Sequence, residues 1–397
     1  MISDPTVHSS RLKNLAFKLV LAGCGLAASL GILELAIRAV VPEAAWTITD
    51  AAEDWAAHER LGWVQKSDYV SVSKRASGTV VKFETNADGL QPTTARRERT
   101  PGLARILIIG DSAVVGRSVP DDQRLHVRLQ ALLANAGCPA EVLNAGVEGY
   151  STDQELIRLE MLLPAYRPDL IILCVCANDF VSNTRSENSG LSKPRFTLQP
   201  DGSLAEQPPA YNARLAAMGK PRLAWLRRSA LFGLLRPKLA SLRARFGSWE
   251  KRNLLGLSDG IYYDGETLGR IDWKLFGAMV VKMNSLSRAN GAGFMFYAFP
   301  DALEVWDPWI EERKKALGVQ DGQYDRFALE KRLQELARET GVKFVKMIEP
   351  FSGRQDRGPF HLIPVDRHSN GAGYQLTAEV LSREVGDVLK NRTKAVP

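Results

Sequence analysis

The sequence predicts an α/β protein: a three-layer α/β/α domain on a parallel five-stranded sheet, preceded by an N-terminal transmembrane helix. Three observations lead there. From residue 105 onward, short apolar runs alternate with longer stretches whose apolar residues recur every three or four positions. The first three runs stop abruptly at Gly110, Asn144 and the Ala177-Asn178-Asp179 turn. Near the N-terminus, a separate apolar run spans 19–33 between basic residues.

Strands are expected at 105–109, 141–144, 170–176, 293–299 and 343–348. Helices are expected at 122–136, 153–163, 273–289, 325–340 and 373–390. Strands that alternate with helices pair in parallel and carry helices on both faces, which is why the runs are apolar throughout. Ahead of the domain, residues 43–104 read as a β-rich lead-in, with a strand at 79–83 and a turn at Asn86-Ala87-Asp88-Gly89. The rhythm breaks at 182–269, an insertion within a domain spanning 105–391. A chain of 397 residues has ample material for such a core.

Residues 1–42 form a tail and an anchor. Arg11, Lys13 and Lys18 precede the apolar run, and Glu34 and Arg38 follow it. A span needs ~20 residues, so the run suffices if Lys18 and Arg38 extend outward and Glu34 pairs with Arg38 one turn on. The basic N-terminal flank places that end in the cytoplasm and the body of the chain beyond the membrane. Leu21-Ala22-Gly23-Cys24 resembles a lipobox, although the apolar run continues past Cys24. An uncleaved anchor is the leading expectation, with a lipidated Cys24, a cleaved leader and a buried helix as alternatives.

The net charge of +7 is local. Between Glu206 and Glu250 there is no acidic residue, whereas nine basic ones occur, more than the whole net charge. Global basicity therefore does not argue for a nucleic-acid partner. Within that stretch, 223–246 interleaves Leu, Trp and Phe with Arg and Lys and is broken by Pro237. It reads as a solvated helical hairpin, or as a segment lying on an anionic membrane or over a site. The four cysteines form no framework; Cys174 and Cys176 share one face of a buried strand.

The strand ends carry the chemistry. The first ends in Gly110-Asp111-Ser112, the second in Asn144-Ala145-Gly146-Val147-Glu148-Gly149, and the third in Ala177-Asn178-Asp179; Asp366-Arg367-His368 follows the last. Carboxyl ends of parallel strands share one edge, where ligands of such sheets bind. A serine there needs a base, the base an orienting carboxylate, and the oxyanion donors. Ser112 can be the nucleophile, His368 the base and Asp366 its partner. The backbone amides of Ser112 and Gly149 and the side-chain amide of Asn178 can form the oxyanion hole. Each has a plainer reading: a turn at Gly110-Asp111-Ser112, and a helix cap at Asn178-Asp179. His361 competes with His368 but precedes an apolar stretch, which suits a structural histidine. Asp111 and Asp179 read as structural hydrogen-bonders. No HExxH, EF-hand or Walker pattern is present, so neither a metal nor a cofactor is expected.

These blocks in this order resemble the SGNH hydrolase superfamily, the GDSL esterases and lipases. The resemblance rests on Gly110-Asp111-Ser112, Gly149, Asn178, Asp366 and His368, and covers 105–176 continuously. The segments "GDSAVVGRSV" and "TNADGLQ" further resemble a membrane-anchored bacterial subgroup. The resemblance implies a flavodoxin-like fold and a serine esterase or deacylase cleaving an O-acetylated glycan or a lipid. It implies an inner-membrane, single-pass protein with its catalytic domain on the periplasmic side. Two departures stand out. Cys176 occupies the position where the third block usually has glycine, and one residue, not two, separates Asp366 from His368. The shorter spacing is similar to that of alginate O-acetyltransferases, so a polysaccharide O-acetyltransferase remains open beside the esterase. A non-catalytic envelope assembly protein is a third alternative.

Overall fold

The structure is a computed structural model that describes residues 5–40, 54–74, 80–92, 95–188, 190–212, 215, 229–232, 261–262, 265–363 and 366–395. The chain divides into two compact units, one of residues 1–48 and 220–247, the other of 49–219 and 248–397.

In the first unit, one helix runs from Pro5–Val40. Its segment Phe17–Val40 is 24 residues long, has mean hydropathy 2.0 and is unburied, which makes it long and apolar enough to cross a membrane. Arg38 pairs with Glu34 at 2.8 Å, as the i,i+4 spacing predicts. Glu34 also accepts hydrogen bonds from Ser229 Oγ (2.7 Å), Ala230 N (2.7 Å) and Leu231 N (3.0 Å). The rest of the basic stretch read as an amphipathic segment lies outside the described residues.

The second unit begins with two antiparallel hairpins, β1 (Trp55–His58) with β2 (Gly62–Gln65) and β3 (Val70–Lys74) with β4 (Val80–Glu84). The central sheet follows: β5 (Ala104–Ile109), β6 (Ala140–Asn144) and β7 (Leu170–Val175). Two short hairpins, β8 (Glu187–Asn188) with β9 (Leu191–Ser192) and β10 (Arg195–Leu198) with β11 (Leu204–Gln207), occupy the first part of the insertion. β12 (Gly293–Ala298) and β13 (Lys343–Val345) complete the sheet, whose order is β13-β12-β7-β5-β6. All four pairings are parallel.

Alternation along β5 divides its side chains between two cores. Leu107 and Ile109 face the helices Thr152–Tyr166, Trp273–Ala289 and Ala328–Thr340. Ile106 and Ile108 face Leu125–Asn135 and Gly371–Ala395. With both faces covered, all six residues of β7 are buried.

One expected strand is shorter than its apolar run. β13 ends at Val345, and Ile348–Ser352 is helical. The buried Glu330 carboxylate accepts the N–H groups of Met347 (2.9 Å) and Ile348 (3.1 Å), which takes them out of the ladder. Helices Ala302–Val305 and Asp307–Leu317 occupy a stretch where the sequence pattern gave no element.

Candidate active site

Gly110 ends β5, and a Cβ there would lie 2.4 Å from Val114 Cγ2 and 3.0 Å from the Cys174 carbonyl oxygen. Only glycine lets the chain turn so tightly against β7. Asp111 then caps the short helix Ser112–Val115, its carboxylate accepting from Ala113 N at 2.9 Å. Ser112 is the first helical residue, and its N–H has no acceptor within the helix. Tyr374 Oη donates to the Ala113 carbonyl at 2.9 Å, and Ser118 Oγ to that of Ser369 at 2.7 Å. These two bonds join the Ser112 turn to the C-terminal segment 256 residues downstream.

The structure brings Ser112, His368 and Asp366 together. His368 Nε2 lies 2.8 Å from Ser112 Oγ, and His368 Nδ1 lies 2.5 Å from Asp366 Oδ1. The same carboxylate oxygen accepts the His368 backbone N–H at 3.0 Å. With Nδ1–H donating to Asp366, Nε2 is the lone pair that accepts the serine hydroxyl. Burial opposes protonation of His368. The hydrogen bond to Asp366, with the charges of Asp366, Asp111 and Glu148, outweighs it and raises the imidazole above its ordinary value of 6.5.

Asn178 joins the group from the end of β7. Its Nδ2 donates to Asp111 Oδ2 at 3.2 Å, and the amide carries a second N–H. Cys176 Sγ donates to Asp111 Oδ1 at 3.2 Å. Asp179 accepts the Cys176 N–H at 2.8 Å. Burial, followed by the neighbouring carboxyls, pushes Glu155 and Asp179 well above the usual carboxylate range. Both therefore favour their uncharged forms beneath Asp111.

Gly149 has φ +79°, which suits glycine, and its carbonyl accepts Asn188 Nδ2 at 2.8 Å. It is not among the described residues lining the cleft above Ser112, a cavity of about 230 Å³. That lining contains Ser112, His368 and Asn178, together with Phe299, Asp301 and Arg367. Arg367 Nη2 meets both oxygens of Asp301 at 2.8 Å. Burial would raise the Asp301 carboxyl, but the Arg367 charge holds it below its usual range. The sequence does not mark these two residues as a pair, although Asp301 stands just past the carboxyl end of β12, as Ser112 does for β5 and Asn178 for β7.

The competing histidines sit elsewhere. His361 is buried with Nε2 2.7 Å from the Pro300 carbonyl, and burial lowers it to about 4. His126 is buried against Asn144 at 3.3 Å, and burial lowers it to about 3. Among the described residues no cluster of three metal-ligating side chains occurs.

Residues 108–222 match the GDSL-like Lipase/Acylhydrolase family model, a match that spans the first three strand ends and stops before Asp366. An arylesterase of Vibrio mimicus is 28% identical over 121 residues, which are 29% of this chain and 60% of that protein. The chain thus spans less than two thirds of this relative's length. Among solved structures, a catalytic mutant of an acetylxylan esterase from Geobacillus stearothermophilus is 14% identical, with 71% of this chain and 94% of that one covered and a TM-score of 0.37. A GDSL-like lipase from Bacteroides thetaiotaomicron is 15% identical, with 72% and 88% covered and a TM-score of 0.33. The segment 108–222, with the strand-end blocks it contains, is thus similar to the GDSL-like lipase/acylhydrolase family.

Proposed function

We propose that this chain is a serine esterase or deacylase, anchored in the inner membrane with its catalytic domain on the periplasmic side, that cleaves an ester of a glycan or lipid through an acyl-Ser112 intermediate. The observation that carries the reading is the continuous pair of contacts Ser112–His368–Asp366, at 2.8 and 2.5 Å. A hydroxyl is a weak nucleophile unless a base removes its proton as it attacks. His368 Nε2 takes that proton while Ser112 Oγ bonds to the ester carbonyl carbon. The carbonyl electron pair moves onto oxygen, where the N–H of Ser112 and the Asn178 amide are the proposed donors, with the Gly149 N–H as a third. Collapse expels the alcohol, which leaves with the proton from His368. Water then repeats the sequence, with His368 as its base, and releases the acid.

Purified Ser112→Ala is expected to lose at least ~10³-fold in kcat on p-nitrophenyl acetate, because the nucleophile and its base act as a unit. Unchanged turnover would overturn the assignment. The single residue between Asp366 and His368 favours a second reading, transfer of the same acyl group to a sugar hydroxyl. An acyl-enzyme mass that persists in water and disappears only on addition of a glycan would establish transfer over hydrolysis.

A further inference from the structure

We infer that Asp111 is a positioning residue for the oxyanion hole: its carboxylate holds the Asn178 side chain with Nδ2, and not Oδ1, toward the forming oxyanion. This role rests on the acyl-Ser112 reading and on Asn178 as an oxyanion donor. Three donors converge on the Asp111 carboxylate. Ala113 N reaches Oδ1 at 2.9 Å, Cys176 Sγ reaches the same oxygen at 3.2 Å, and Asn178 Nδ2 reaches Oδ2 at 3.2 Å. The first comes from the turn after β5 and the other two from the end of β7, so one side chain joins the Ser112 and Asn178 strand ends. Asp111 is 3% exposed, which leaves little water to replace any of these partners. A hydrogen bond with Cys174, followed by burial, pushes the Cys176 thiol well up, so it keeps its proton.

A carboxylate accepts and cannot donate. The Asn178 amide therefore meets it only through Nδ2; turned over, Oδ1 would face Asp111 Oδ2, acceptor against acceptor. The backbone at this point is already fixed, because Asp179 Oδ2 accepts the Cys176 N–H at 2.8 Å and Asp179 N donates to the Cys176 carbonyl at 3.0 Å. What stays variable is the sense of the amide, and Asp111 sets it. Among the described residues the second Nδ2 N–H has no acceptor, and Asn178 lines the cleft with Ser112 and His368. The sense decides the chemistry. A carbonyl oxygen facing the developing negative charge repels it, whereas one donor there is typically worth ~10²–10³-fold in kcat. Because that bond strengthens only as charge develops, its loss shows in kcat and not in KM.

The test is a double-mutant cycle on the full chain in detergent, with kcat and KM read on p-nitrophenyl acetate at the pH plateau above the acid limb. Working on the plateau keeps out the Asp111 charge, a lesser influence on His368 than burial and Asp366. Asp111→Asn keeps the cap on Ala113 N, since asparagine caps as well as aspartate. Its own amide nitrogen then faces Asn178, which turns Oδ1 toward it. In this variant kcat should fall at least tenfold with KM within twofold, and in Asn178→Ala kcat should fall ~10²-fold. In the Asn178→Ala background, Asp111→Asn should cost less than a further twofold, because it acts through the side chain already removed. If Asp111→Asn does not fold, as read by near-ultraviolet circular dichroism, Asp111→Ser, which keeps a capping hydroxyl, replaces it in the cycle. Losses that multiply in the double variant, a loss carried by KM, or wild-type kcat in the Asp111 variant would each overturn the positioning role. Wild-type kcat in Asn178→Ala would overturn it too, by removing its target. If the wild type turns over no ester at all, the acyl-Ser112 reading itself fails and the role falls with it.

Discussion

Burial alone would drive the His368 imidazole toward its neutral form, yet the Asp366 hydrogen bond and three nearby carboxylates raise its pKa above 6.5. A general base must be neutral to accept a proton, so activity is present above the folded pKa and lost as pH falls through it. The acid limb of kcat/KM is therefore expected to have its midpoint above 6.5. Asp366→Asn removes the strongest of the raising causes, so the midpoint should move down while kcat falls ~10³–10⁴-fold through loss of the correct tautomer. An acid limb that stays in place in this variant would exclude His368 as the base. Ser112, Asn178, Asp366 and His368 are legible in the sequence because each follows a strand or sits in a short local motif. The Arg367–Asp301 contact is not, since only the fold brings residues 66 positions apart onto one wall.

At the scale of elements, the turn at 148–150 is held from outside the sheet. Trp63 in β2 donates its indole N–H to the Glu148 carbonyl at 3.1 Å, and Tyr150 Oη donates to the Trp63 carbonyl at 2.6 Å. Asn188 in β8 holds the Gly149 carbonyl at 2.8 Å. Arg117, just past the helix Ser112–Val115, pairs with the buried Asp54 beside β1 and donates to Ser71 Oγ in β3 at 3.0 Å. The lead-in hairpins thus support both the Ser112 turn and the 148–150 turn, and the Glu148 carbonyl that Trp63 holds shares its peptide plane with the Gly149 N–H. If the Gly149 amide donates to the oxyanion, Trp63→Phe, which removes the indole N–H from the Glu148 carbonyl in the same peptide plane, should lower kcat on p-nitrophenyl acetate by about tenfold, ~1.4 kcal/mol. Equal kcat in variant and wild type would remove Gly149 from the oxyanion hole. The sheet order was accessible from periodicity alone only as far as its parallel sense, because apolar runs of five or six residues carry no pairing information. The early end of β13, three residues short of the expected strand 343–348, has a related cause. Glu330 ends the strand from 17 residues away, and nothing local at Met347 marks the boundary.

At the scale of the whole molecule, the question is which side of a membrane the site faces. A helix rises ~1.5 Å per residue, so the 24 residues of Phe17–Val40 reach about 36 Å, enough for a hydrocarbon core of ~30 Å. A carboxylate within such a span is costly unless its oxygens are engaged. Glu34 meets that condition through Arg38 and through Ser229, Ala230 and Leu231. The proposed orientation rests on the flanks: Arg11, Lys13 and Lys18 precede the apolar run, and basic flanks are retained in the cytoplasm. A C-terminal alkaline phosphatase fusion, active only after export, should therefore be active in a bacterial host. Deleting residues 1–42 should leave the same fusion inactive in the cytoplasm and shift it from the membrane to the soluble fraction. Changing all three basic residues to Glu should lower the exported activity of the full-length fusion. A stable full-length fusion without phosphatase activity would place the domain on the cytoplasmic side, and the periplasmic ester substrate would fall with it.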